Sequence, residues 1–124
     1  LGQHLRSRRL VLKLTQVQAA ERLNTLREHY ERWERDEVAP TASFWPRLIG
    51  FLGSYPVAVQ TPADQVLMAR RIMGLSQFAF GRRIQVIAKN VREWEHGVAK
   101  PSPAMLAKVQ QLVTDTPVVG LAAV

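Results

Sequence analysis

Cysteine is absent from the 124-residue chain, which excludes disulfide scaffolds, thiolate metal sites and cysteine nucleophiles. No apolar run approaches the roughly 20 residues a membrane-spanning helix needs, so no membrane association of that kind is expected. Acidic residues are scarce: 10 Asp and Glu face 17 Lys and Arg, for a formal charge of +7. In so small a chain that imbalance points to a polyanionic partner, nucleic acid first. There is no Gly-rich phosphate loop, and His4, His29 and His96 are scattered without a repeated spacing to carboxylates. No metal, no cofactor and no catalytic activity are therefore expected. A charged-then-apolar leader is also missing, which predicts a cytoplasmic location. Sustained period-2 alternation is lacking as well, and an all-α fold follows.

What is present is a repeat. Sliding the chain by 61 positions sets Arg9 on Arg70, Leu14 on Leu75, Gln16 on Gln77, Arg22 on Arg83, Trp33 on Trp94, Glu34 on Glu95 and Pro40 on Pro101 without a gap. Similar residues fill in between, as in Val11/Ile72, Thr15/Ser76, Leu26/Ile87 and Thr41/Ser102. Fixed-period similarity is the signature of a duplicated unit. Two domains are read, at residues 1–54 and 62–116, with a linker at residues 55–61 and an apolar tail at residues 117–124.

Each unit breaks into short helices. Thr15 and Ser76 are N-cap residues by type, and Thr15 with Gln18 fits a capping box. Thr61-Pro62 and Ser102-Pro103 place a cap before a proline at the first helical position, where its missing N–H costs nothing. Pro46 falls inside a helical stretch and is expected to remove one backbone bond there. In the third helix of each unit, Leu26, Tyr30 and Trp33 recur at i, i+4 and i+7, as do Ile87, Val91 and Trp94, which predicts one buried stripe. The opposite face is polar. A short break precedes it, and before that comes a helix of about eight residues carrying Ala20 or Gly81, small enough for close crossing. Helix, tight turn, and a helix with an apolar inner stripe is the geometry of a helix-turn-helix.

The segment Thr15-Gln-Val-Gln-Ala-Ala-Glu-Arg-Leu23, with Trp33-Glu34 and Ala39-Pro40-Thr41 downstream, resembles the XRE family of phage-repressor-like helix-turn-helix domains. So does Leu75-Ser-Gln-Phe-Ala-Phe-Gly-Arg-Arg-Ile84 with Trp94-Glu95-His-Gly97 and Lys100-Pro-Ser102. The resemblance covers most of both units. It implies two tandem five-helix DNA-binding domains in a bacterial or phage-encoded, nucleoid-associated transcription regulator, a repressor by preference. Two such units suggest a pseudo-two-fold dimer within one chain. The turn position, usually Gly in the family, is Asn24 in one copy and Gln85 in the other. Gln tolerates a left-handed backbone less readily, so a strained or differently shaped turn is expected in the second copy.

The resemblance also assigns roles. Arg9 with Glu34, and Arg70 with Glu95, would form structural ion pairs; each arginine lies on an apolar stripe, where a charge needs a partner. The recognition helices would be residues 26–35 and 87–96, in successive major grooves of double-stranded DNA. Base readers would be Arg27, Glu28, His29 and Arg32 in the first unit and Ala88, Lys89, Asn90 and Glu93 in the second. Gln16 and Gln77 would hold the DNA backbone, with Arg6, Arg8, Arg35, Arg71, His96 and Lys100 as further phosphate contacts. Because the two faces differ at every reading position, the expected site is asymmetric and two-part. The alternatives are an antitoxin-like interaction module, with a homodimer or protein partner held through the C-terminal tail, and a sequence-independent DNA-coating protein.

Overall fold

The computed structural model describes residues 1–117; the tail expectation, apart from Pro117, lies outside the described residues. The all-α expectation holds. The helices are α1 (Gly2–Val11), α2 (Gln16–Arg22), α3 (Arg27–Glu34), α4 (Trp45–Leu52), α5 (Pro62–Met73), α6 (Gln77–Ile84), α7 (Ala88–Glu95) and α8 (Pro103–Asp115), with a short 3-10 turn at Ala42–Phe44 before α4. Each repeat therefore holds four α-helices rather than five. No helix among the described residues is long and apolar enough to cross a membrane.

The helix starts follow from local chemistry. Thr15 Oγ1 accepts from Gln18 N at 3.1 Å while Gln18 Oε1 accepts from Thr15 N at 2.9 Å, closing the capping box. Ser76 accepts from Ala79 N and Ser102 from Met105 N, each at 3.1 Å. Thr61 forms a second capping box, with Asp64. The N–H of Gln60 and the hydroxyl and N–H of Thr61 hold the Asp64 carboxyl below its ordinary range. Pro46 proves harmless: the 3-10 turn delays α4 to Trp45, so the proline sits in the first turn, where no donor is missed.

The repeat persists in the backbone. Non-helical left-handed residues occur at Lys13 and Gly74 (φ 57° and 68°), Asn24 and Gln85 (53° and 62°), and Asp36 and Gly97 (56° and 72°), each pair offset by 61. The turn at Gln85 thus has the same left-handed form as that at Asn24. The Cβ of Gln85 makes that conformation unfavourable by about 1–2 kcal/mol, part of which glycine would lose again to chain entropy. Gln85→Gly is accordingly expected to stabilise the protein by about 1 kcal/mol, read as a higher urea midpoint at unchanged slope. Gly81 is a different case: a Cβ there would stand 2.5 Å from the Val86 carbonyl oxygen, so α6 and the turn into α7 approach closely.

Two apolar cores form. The first gathers Leu5, Ala19, Ala20, Leu23, Tyr30, Trp33, Trp45, Leu48 and Ile49; the second gathers Val66, Ala69, Phe80, Ile84, Val91, Trp94 and Val109. Ile72 of α5 belongs to the first core although it lies in the second repeat. Leu26 and Ile87, expected in the buried stripe, are 59% and 64% exposed. They are the N-caps of α3 and α7, and the extended backbone of a cap turns them off the inner face.

The joint between repeats is built by α4 and the 3-10 turn packing on α5, which also packs on α7 and α8. By the 61-residue offset α5 is the counterpart of α1, so the last helix of one repeat rests on the first helix of the next. A two-fold axis would demand the reciprocal pairing of α1 with α8, which is not among the extensive helix pairings. The extensive pairing at the joint is thus head-to-tail, the last helix of one repeat on the first of the next. Tyr55 of the connecting segment takes part, 6.1 Å ring to ring from Trp45. Arg71 stacks 4.1 Å over Trp45 and donates to Tyr55 Oη at 3.1 Å.

Candidate nucleic-acid interface

In both repeats the second helix leads through a tight left-handed turn into a third helix whose inner face is buried: Tyr30 and Trp33 in one, Val91 and Trp94 in the other. The outer faces are left to solvent. On α3, Arg27, Glu28, His29 and Arg32 are all exposed. Their partners are local: Arg27 lies 3.4 Å from Glu31, and His29 Nδ1 is 3.3 Å from the Thr25 hydroxyl. On α7, Lys89, 3.9 Å from Glu93, is the one anticipated reader that is exposed, with Arg92 exposed beside it, while Ala88, Asn90 and Glu93 are half-buried. Exposed i,i+4 pairs of this kind contribute only about 0.3–0.5 kcal/mol, so they leave the side chains available.

Each outer helix is tied to the first helix of its repeat by a bidentate ion pair. Arg9 Nε and NH2 donate to Glu34 Oε2 and Oε1 at 3.0 and 2.8 Å, and NH1 donates to the Leu14 carbonyl at 3.2 Å. Arg70 repeats this on Glu95 at 2.6 and 2.9 Å and on Leu75 at 3.2 Å. The glutamate side chains are 5% and 6% exposed. Burial alone pushes the Glu34 carboxyl up, but hydrogen bonds from Arg9 and Tyr30 and the charges of Arg9 and Arg6 outweigh it and hold the group below its ordinary value. The same bond to Glu34 raises the Arg9 guanidinium against the opposing effect of burial.

Three of the anticipated phosphate contacts converge. Arg6, Gln16 and Arg35 line one open cleft of about 490 Å³ with Arg9, Thr15 and Glu34, at the start of α2 and the end of α3. The second repeat does not reproduce it. The counterpart of Arg6 is Leu67, Gln77 Nε2 is turned onto Glu95 Oε1 at 3.0 Å, and His96 Nδ1 lies 2.8 Å from the Arg92 carbonyl oxygen. Lys100 is exposed just before the buried Pro101. Arg8 and Arg71 point elsewhere: Arg8 Nε donates to the Phe51 carbonyl of α4 at 3.0 Å, and Arg71 is in the inter-repeat joint. Both lie on the sides of their helices that face a neighbour, which the sequence spacing did not distinguish from the outward side.

Arg22 and Arg47, to which the sequence pattern assigns no role, share a second groove with Arg8. Val17 and Phe78, at matching positions on α2 and α6, are exposed as well. An exposed Phe in a helix start carries no local sequence signal distinguishing it from a core Phe. No cluster of His and carboxylates able to hold a metal occurs among the described residues. Comparison with protein-family models, curated proteins and solved structures returned no match.

Proposed function

We propose that the protein is a sequence-specific double-stranded DNA-binding regulator of the XRE type, in which α3 and α7 enter major grooves. The observation that carries this reading is the pair of exposed, differently composed polar faces set at the same place in two helix-turn-helix units. Arg27, Glu28, His29 and Arg32 offer donors and acceptors suited to base edges, and Lys89 with Asn90 does so in the second unit. The Arg6, Gln16 and Arg35 cleft supports backbone anchoring beside α3, since guanidinium and amide donors there are open to a phosphate. The net charge of +7 favours the same partner. The head-to-tail joint gives no reason for inverted half-sites, so the proposed site is asymmetric. The first unit is the stronger reader, because all four of its anticipated readers are exposed and three anchoring residues converge beside them.

Selection from a random duplex library at two salt concentrations tests this. An asymmetric two-part motif that survives the higher salt is expected. Arg27→Ala should relax preference in one part of the motif and Lys89→Ala in the other, each by about 1–3 kcal/mol. Arg6→Ala should instead weaken all duplexes alike and lower the salt slope by roughly one. Binding without enrichment, abolished by salt, would overturn the reading in favour of a coating protein.

A further inference from the structure

A groove of about 490 Å³ runs between α1, the end of α2, α4 and Pro117 beyond α8. Three guanidinium groups, Arg8, Arg22 and Arg47, stand over an apolar floor of Leu12, Pro46 and Phe51. Arg8 is held by its bond to the Phe51 carbonyl, and Arg47 by a 3.2 Å bond to the Leu23 carbonyl with its guanidinium 5.1 Å from the Phe44 ring. Among the described residues, none of the three has a carboxylate within ion-pair distance, whereas Arg9, Arg27, Arg35 and Arg70 each do.

The repeat supplies an internal control. The counterparts of Arg8, Arg22 and Arg47 are Ala69, Arg83 and Lys108, and Ala69 is fully buried beneath α8. The fold therefore does not require a triple-arginine groove at this place. It occurs in one unit only, and no residue of α3 or of the turn before it lines it.

Like charges gathered on an apolar floor call for a ligand with both properties. We propose that the groove binds a small amphipathic anion, an organic acid whose apolar body covers Leu12, Pro46 and Phe51 while its head engages the guanidiniums. The volume lies within the range of roughly 300–1,000 Å³ typical of small-molecule sites. A carboxylate or sulfonate head fits because guanidinium donors pair with planar or tripodal oxygen anions through charge-assisted bonds.

Titrating the full chain with 8-anilinonaphthalene-1-sulfonate, a fluorescent amphipathic anion, tests this. Saturable one-to-one binding is expected, displaced by octanoate but not by octanol, octylammonium or inorganic phosphate. The double variant Arg22→Gln/Arg47→Gln should lose about tenfold or more in affinity, as the loss of charge-assisted bonds implies. Both arginines are exposed, so the fold should be retained, and an unchanged far-UV spectrum checks it. Arg82→Gln/Arg83→Gln removes the same charge from α6 and should leave binding unaltered. Unsaturable binding, equal loss in the two double variants, or displacement by inorganic phosphate as effective as by octanoate would each overturn the proposal.

Discussion

Glu34→Ala is expected to destabilise the protein by about 1–3 kcal/mol, because it removes two charge-assisted hydrogen bonds from the partly buried Arg9 guanidinium, whose side chain is 14% exposed. Three donors of that guanidinium are engaged, two of them by Glu34, so nothing nearby can replace the lost carboxylate. Replacing both partners with apolar residues, as in Arg9→Met/Glu34→Leu, should recover most of the loss, since the desolvated charge is then gone. Urea unfolding of the three proteins measures this directly. The pair also predicts a pH dependence. The folded carboxyl titrates below its ordinary value of about 4.3, so its contribution is complete above that value. It is lost as pH falls through the lowered folded value, where protonation breaks the pair. Wild type should thus lose stability below about pH 5, and Glu34→Gln should be less stable at neutral pH while lacking this part of the acid limb. A Glu34→Gln curve parallel to wild type through the acid range would refute the assignment.

Ile72→Ala tests the joint. The side chain is 6% exposed and belongs to the core of the other repeat, so its truncation should remove about 2–5 kcal/mol. The tryptophans allow the two halves to be followed separately: Trp33 and Trp45 lie in the first core and Trp94 in the second. In a Trp94→Phe background fluorescence reports the first core, and in Trp33→Phe/Trp45→Phe the second. With Ile72 present the two transitions should coincide, as cooperative unfolding requires. With alanine there, the first core should lose its guest from α5 and the transitions should separate. A loss below about 0.5 kcal/mol, typical of a surface position, would mean that α4 and α5 merely touch.

The two expectations draw on different information. That Arg9 and Arg70 need partners was legible from their place on apolar stripes, and the resemblance to the XRE family named those partners as Glu34 and Glu95. Caps at Thr15, Ser76 and Ser102 were legible for a related reason: the interacting atoms are three residues apart, so the sequence contains both partners. The outward faces of α3 and α7 followed from helical periodicity, which separates inside from outside. Periodicity erred at Leu26 and Ile87, where the helix has not yet begun and the cap backbone sets the direction instead.

The amino-acid sequence by itself determined the all-α character, the 61-residue repeat and the capping chemistry, because those rest on periodicity and on atoms a few residues apart. Only the tertiary structure decided the head-to-tail joint, the diversion of Arg8 and Arg71 from the outer surface, the convergence of Arg6, Gln16 and Arg35, and the groove of three arginines. Those depend on which apolar faces meet across the chain. Alternative pairings of similar short amphipathic helices bury comparable apolar surface, and hydrophobic attraction has no direction. Shape decides between them, as where the Pro46 ring of α4 stands so close to Gly74 that a Cβ there would meet it at 2.9 Å, and shape is a property of the assembled surfaces.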